Sequence, residues 1–176
     1  SMYGTITSLS ESPVVEGLLY AGTDDGRIHV SEDGGASWRA VERLPDVSDD
    51  FFVNDLKADL HDADTVYAVV DDHKSGDFSP HIFRSDNRGG TWTRISDGLP
   101  ARHLVWRIVQ DHVKPGLLFA ATEFGVFFTI DSGDRWVKLA GDAPTIAFRD
   151  LVIQTRENDL VGATFGRGFW ILDDYS

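Results

Sequence analysis

One eight-residue segment occurs three times along the chain, and it limits the possible folds more than any other feature. Ser31-Glu32-Asp33-Gly34-Gly35-Ala36-Ser37-Trp38 returns as Ser85-Asp86-Asn87-Arg88-Gly89-Gly90-Thr91-Trp92 and as Thr129-Ile130-Asp131-Ser132-Gly133-Asp134-Arg135-Trp136. The shared pattern is Ser/Thr-x-Asp/Asn-x-Gly-x-x-Trp, with its tryptophans 54 and 44 residues apart. A fourth copy starts at Ile171-Leu172-Asp173, 42 residues after the third in its Asp position, and Ser176 is reached before a Gly or Trp falls due. The pattern has a local logic. An Asp or Asn in a tight turn accepts hydrogen bonds from nearby backbone N–H groups, and the Gly supplies a positive φ that a residue with Cβ resists. The Trp is expected to cap the apolar layer beside the turn and bury a large area. Ser31, Asp33, Gly35, Trp38, Ser85, Asn87, Gly89, Trp92, Thr129, Asp131, Gly133, Trp136 and Asp173 therefore read as fold-forming residues.

Each copy closes a block of strand signals. A β-rich run comes first: Thr5–Thr7, Val53–Leu56, Val105–Val109 and Phe148–Ile153. Two apolar runs follow it, Leu18–Thr23 with Arg27–Val30, and their counterparts Thr65–Val70 with His81–Arg84, Leu117–Thr122 with Val126–Phe128, and Leu160–Thr164 with Gly168–Ile171. A short strand follows each complete copy, at Trp38–Val41, Trp92–Ile95 and Trp136–Leu139. Four strands in about 45 residues is the sequence signature of a propeller blade. Several inner runs are apolar on consecutive residues, as suits sheets covered on both faces. The expected fold is all-β, a single β-propeller segment of about four four-stranded blades near residues 3–41, 52–95, 104–139 and 147–173, the last incomplete.

The repeated turn resembles the Asp-box, also called the BNR repeat. Tyr3–Thr7, Leu19–Gly26, Leu118–Gly125 and Gly166–Asp174 are similar to stretches of large bacterial BNR-repeat proteins, which resemble the sortilin (VPS10) propeller and are often labelled glycosyl hydrolases. In one place the chain departs from that pattern: Phe165 stands before Gly166-Arg167-Gly168 where the family's closing motif has His. The resemblance implies a parent protein that is secreted or periplasmic, and it raises sugar chemistry. Glycoside hydrolysis needs two carboxylates about 5 to 9.5 Å apart across the sugar, and 29 acidic residues neither supply nor exclude such a pair. A sialidase would carry an Arg-Ile-Pro segment, which is missing. A xyloglucanase-like hydrolase would need a second propeller to form its cleft, so it is the alternative to a non-catalytic module that binds a protein or carbohydrate ligand.

Composition narrows the partners. A formal charge of -13 argues against nucleic acid, whose binding relies on Lys and Arg at phosphates. No apolar run approaches the ~20 residues that span a bilayer, so no membrane insertion is expected. Without cysteine there are no disulfides or thiolates, and nothing in the residues calls for a cofactor. Asp71-Asp72-His73-Lys74-Ser75-Gly76-Asp77-Phe78-Ser79-Pro80-His81 lengthens the second repeat and is expected to be a solvated loop; its spacing matches no metal-ligand motif. The candidate binding residues lie on the innermost strands, which line a propeller's channel: Asn54 and Asp55, Trp106 and Arg107, Arg149 and Asp150, with Arg167 between two glycines after the last of them. Arg–Asp pairs there can instead tie neighbouring blades together. Ser1-Met2 reads as the remnant of a cleaved tag, and four blades with open ends suggest a homo-oligomer, most simply a dimer closing an eight-bladed ring.

Overall fold

In a computed structural model, residues 4–41 and 43–176 are described. Tyr3, counted above in the first blade and in the family resemblance, lies outside the described residues, as do Ser1 and Met2. The described residues are all-β, apart from one short 3-10 turn. Blade one is β1 (Ile6–Glu11), β2 (Leu19–Thr23), β3 (Ile28–Ser31) and β4 (Arg39–Ala40). Blade two is β5 (Phe52–Ala58), β6 (Val66–Asp72), β7 (Asp77–Ser85) and β8 (Thr93–Arg94), and blade three is β9 (Val105–Gln110), β10 (Leu118–Thr122), β11 (Gly125–Thr129) and β12 (Val137–Lys138). Blade four has three strands: β13 (Phe148–Gln154), β14 (Asp159–Thr164) and β15 (Phe169–Leu172). Every sheet is an antiparallel meander with its strands in chain order. Innermost strands β1, β5, β9 and β13 stand side by side.

The expected loop at 71–81 is instead a hairpin extension. β6 runs through Asp72 and β7 restarts at Asp77, opposite it, with the His73–Ser75 turn between them and Gly76 in the left-handed region at φ +83. The polar side chains there find partners, His73 on Asp71, His81 on Asp77 and Ser48 on Asp72, which is why a polar stretch can still be sheet.

Three apolar cores lie between the blades. Leu18, Tyr20, Ile28 and Val30 of blade one pack on Val53, Leu56, Val66 and Phe83 of blade two. Tyr67, Val69 and Ile82 meet Val105, Ile108, Leu118 and Phe127, and Leu117, Phe119 and Val126 meet Phe148, Leu151 and Leu160. Fully burying each such side chain contributes about 1.5–3 kcal/mol. Repeats that bury faces only against their neighbours depend on stacking for stability.

The repeated turns give this stacking a direction. Trp92 of blade two packs on the core shared with blade one, and Trp136 of blade three sits in the core shared with blade two, its indole N–H donating to the Ile95 carbonyl at 2.6 Å. Gly133 shows how close the approach is: a Cβ there would lie 2.8 Å from Ile95 of blade two. Trp38 corrects the expectation of three buried tryptophans. It is 42% exposed, against 6% for Trp136, and its indole donates only to Gly35 of its own turn. Trp92 and Trp136 reach toward the blade before their own, and blade one has none before it among the described residues. The sheets do not close into a ring. Leu9 on the outer face of blade one is 65% exposed and Phe169 on the outer face of blade four 79% exposed.

Candidate functional site

The innermost strands share an irregularity at one height. Pairing shifts by a residue at Thr7 in β1, Asn54 in β5, Trp106 in β9 and Arg149 in β13. A bulge leaves one residue out of the ladder and re-aims its side chain, so four unlike side chains are delivered to equivalent places along the channel edge. The first two link blades: Thr7 Oγ1 donates to the Val53 carbonyl at 2.7 Å and Asn54 Nδ2 to the Val105 carbonyl at 2.8 Å. Trp106 and Arg149 do something else. The Arg149 guanidinium lies 3.8 Å from the centre of the Trp106 ring and 5.5 Å from that of Phe165. Trp106 is half-buried, with its indole N–H facing no acceptor.

The residues that follow the bulges form a second row. Ser8 accepts the Leu56 N–H at 2.9 Å, and Asp55 accepts the Ile108 N–H at 3.1 Å. Arg107 stands next in this row and, being only a donor, bridges both ways: to the Asn54 carbonyl at 3.1 Å, Asp55 at 3.3 Å and Asp150 at 3.1 Å. Burial pushes the Asp55 carboxyl up from its ordinary range, while the Lys57 and Arg107 charges and the Ile108 N–H pull it back. Asp55 is closed off from solvent and already engaged by its donors, so it cannot reach a glycosidic oxygen.

The structure thus brings Asn54, Asp55, Arg107 and Asp150 into one network and places Trp106 and Arg149 beside it. Arg167 is left out: it is exposed at the turn between β14 and β15, with no hydrogen bond or ion pair to the group among the described residues. Sequence reasoning missed Phe165, set aside as a departure from the family motif and in fact the second ring against Arg149. It also missed Ser8, Ser10 and Gln110, which tie the inner strands; Gln110 Nε2 donates to Asp59 at 2.7 Å and its Oε1 accepts the Leu60 N–H at 2.7 Å. Polar residues on otherwise apolar inner strands, facing a neighbouring blade, were the available signal.

The repeated turns hold the bonds their residues suggest. Asp33 accepts the Ser37 N–H at 2.8 Å, Asn87 the Thr91 N–H at 2.8 Å and Asp131 the Arg135 N–H at 3.0 Å. Asp173 makes no such turn in this chain. In the 71–81 hairpin, His73 pairs with Asp71 and His81 with Asp77, while Asp72 accepts from Ser48. No three of these residues converge, and no group of three metal-binding side chains occurs among the described residues.

No protein-family model and no curated protein matches the chain. Solved structures do. YCF48 bound to a D1 peptide superposes with a TM-score of 0.70 at 17% identity, over 98% of this chain and 52% of that one. The fold is that of a β-propeller. The GH74 xyloglucanase from Xanthomonas campestris gives 0.73 at 14% identity, over 96% of this chain and 29% of that one. The computationally designed Ika4 protein gives 0.61 at 13%, over 96% and 91%. This chain spans about half the length of the first and under a third of the second, and identities this low carry the fold alone.

Proposed function

We propose that the chain is a non-catalytic binding module of the Asp-box propeller class, whose innermost-strand edge takes a protein or glycan ligand. The observation that supports this reading is Arg149. It is exposed, over the Trp106 ring with Phe165 nearby, and without a carboxylate partner among the described residues. A guanidinium held over an aromatic ring has lost some of its freedom before a ligand arrives and keeps its donors for a carboxylate or carbonyl. The rings offer apolar faces to a neighbouring side chain or sugar ring. A protein segment is the favoured ligand, since the similar YCF48 binds a D1 peptide. Nucleic acid fits poorly against a charge of -13.

Titration calorimetry with an array-selected peptide is expected to give binding that Arg149→Ala removes while thermal unfolding stays the same. If no peptide or oligosaccharide on broad arrays binds, or Arg149→Ala binds as well as the unaltered chain, the reading fails. The second reading, a portion of a glycoside hydrolase, draws on the likeness to GH74 enzymes. Against it stands Asp55, the acid that burial raises but also hides. We expect no turnover of xyloglucan or chromogenic glycosides; turnover abolished by Asp150→Asn would favour the hydrolase. The resemblance to secreted BNR proteins is the ground for proposing a secreted or periplasmic parent.

A further inference from the structure

The segment that enters blade three links phenylalanines from three successive hairpins. Antiparallel meanders put the β6–β7, β10–β11 and β14–β15 hairpins at the end of the blades where the innermost strands begin. The Arg102 guanidinium lies 5.5 Å from the centre of the Phe78 ring, near the start of β7. His103, the next residue, meets the Phe124 ring of the β10–β11 hairpin edge-on, with 5.0 Å between ring centres. Trp106 lies against the Arg149 guanidinium, which in turn is 5.5 Å from Phe165 of the β14–β15 hairpin. All three phenylalanines are exposed, and bonds within the fold hold two of their hairpins in place. Thr122 Oγ1 donates to the Gly125 carbonyl at 2.8 Å and accepts the Phe124 N–H at 3.2 Å. Thr164 Oγ1 donates to the Gly168 carbonyl at 2.6 Å, and the Phe165 N–H to the Ala147 carbonyl at 2.8 Å. Rings set on fixed turns need little further ordering when a partner covers them.

Charge selects the partner. Arg102, Arg149 and Arg167 stand at this end, all exposed, and none makes an ion pair or donates a side-chain hydrogen bond among the described residues. The carboxylates of the β6–β7 hairpin are already engaged, Asp71 by His73, Asp72 by Ser48 and Asp77 by His81. Arg43, on the loop entering blade two, is taken by Asp49 at 2.8 Å. We infer that the arc from Phe78 to Phe165 docks an acidic segment of a partner protein, one that carries apolar side chains among its carboxylates. In a chain of net charge -13, guanidiniums left without a carboxylate take theirs from outside. A guanidinium over a ring still offers its N–H groups edgewise to a carboxylate, and the phenylalanine rings take the apolar side chains, the aromatic and arginine pairing that protein interfaces favour. The inference rests on the reading of Arg149 as a binding residue. It adds the chemistry of the partner, and it carries the contact outward from the strand edge to Arg102, Phe78 and Phe124.

Fluorescence anisotropy with labelled short peptides tests this. The probes are peptides of Asp, Glu and Leu, the same peptides with Ser for Leu, counterparts with Lys for every acid, and a sulfated oligosaccharide. Binding is expected for the acidic, Leu-bearing peptides alone. Arg102→Ala and Phe124→Ser are each expected to weaken it about tenfold, with thermal unfolding unchanged because both side chains are exposed. Arg135→Ala, at an exposed arginine in the repeated turn at the opposite end of blade three, is expected to leave it unaltered. Binding to no probe, a preference for the basic peptides or the sugar, or full affinity in both Arg102→Ala and Phe124→Ser overturns the inference. In the last case a loss on Arg149→Ala would leave the strand-edge reading standing without it, whereas full affinity in Arg149→Ala would remove that reading as well.

Discussion

Trp38, Trp92 and Trp136 hold the same place in the repeat and have unequal surroundings. Trp136 is buried and its indole N–H is bonded across blades; Trp92 is half-buried with that N–H unpaired; Trp38 is the most exposed of the three, its N–H bonded within its own turn. Truncation to Ala should therefore cost about 3–5 kcal/mol at Trp136 and roughly 2–3 at Trp92. At Trp38 it should cost about 1 kcal/mol or less, measured by urea unfolding. Equal losses at all three would mean that the turn, not the neighbouring blade, sets the tryptophan's worth. Gly133 gives a second contrast. Its φ of +104 and the Ile95 side chain 2.8 Å from a built Cβ predict that Gly133→Ala costs about 1–3 kcal/mol more than Gly35→Ala, where only the turn's own Trp38 and Leu19 stand near. The repeat made these residues legible in the sequence. Their different burial was not, because it depends on which blade precedes each one.

The innermost strand is where sequence and fold meet at the scale of the element. On β5 the bulge at Asn54 interrupts the period-two alternation, so Val53 and Leu56, three residues apart, both enter the core shared with blade one and Asp55 turns toward blade three. Asp55 answers the Ile108 N–H and Arg107 at once, so Asp55→Ala strips both of an acceptor and should cost about 2–4 kcal/mol. Asp55→Asn keeps an oxygen for Ile108 and should cost less. If the two variants unfold alike, the link between blades two and three lies elsewhere. The pairs Asn54-Asp55, Trp106-Arg107 and Arg149-Asp150 were legible as equivalent positions. That Arg107 would turn its charge to structure and Arg149 would leave its own free was not, since it depends on which neighbour each guanidinium reaches.

For the whole molecule, acid is the informative perturbation. Burial pushes the His81 imidazole below its ordinary value despite the Asp77 carboxylate at 2.9 Å. Below about pH 6.5 the unfolded chain therefore takes up a proton that the folded chain refuses, and stability falls as pH falls. Asp77, held down by the Ser79 side chain, and Asp131, held down by Thr129, add stability above the ordinary carboxylate range that is lost as pH drops through their folded values. Asp55 runs the other way, gaining as its raised carboxyl is protonated. Urea midpoints should decline in two stages on acidification, the first absent in His81→Gln; an unchanged first stage would assign it to another group. The sequence by itself determined the all-β repeat, the turns that punctuate it and the strands that carry the polar residues, because these follow from local hydrogen bonding and side-chain alternation. The tertiary structure alone decided which tryptophan is covered, which arginine is free and which faces stay open, because those properties belong to contacts between blades.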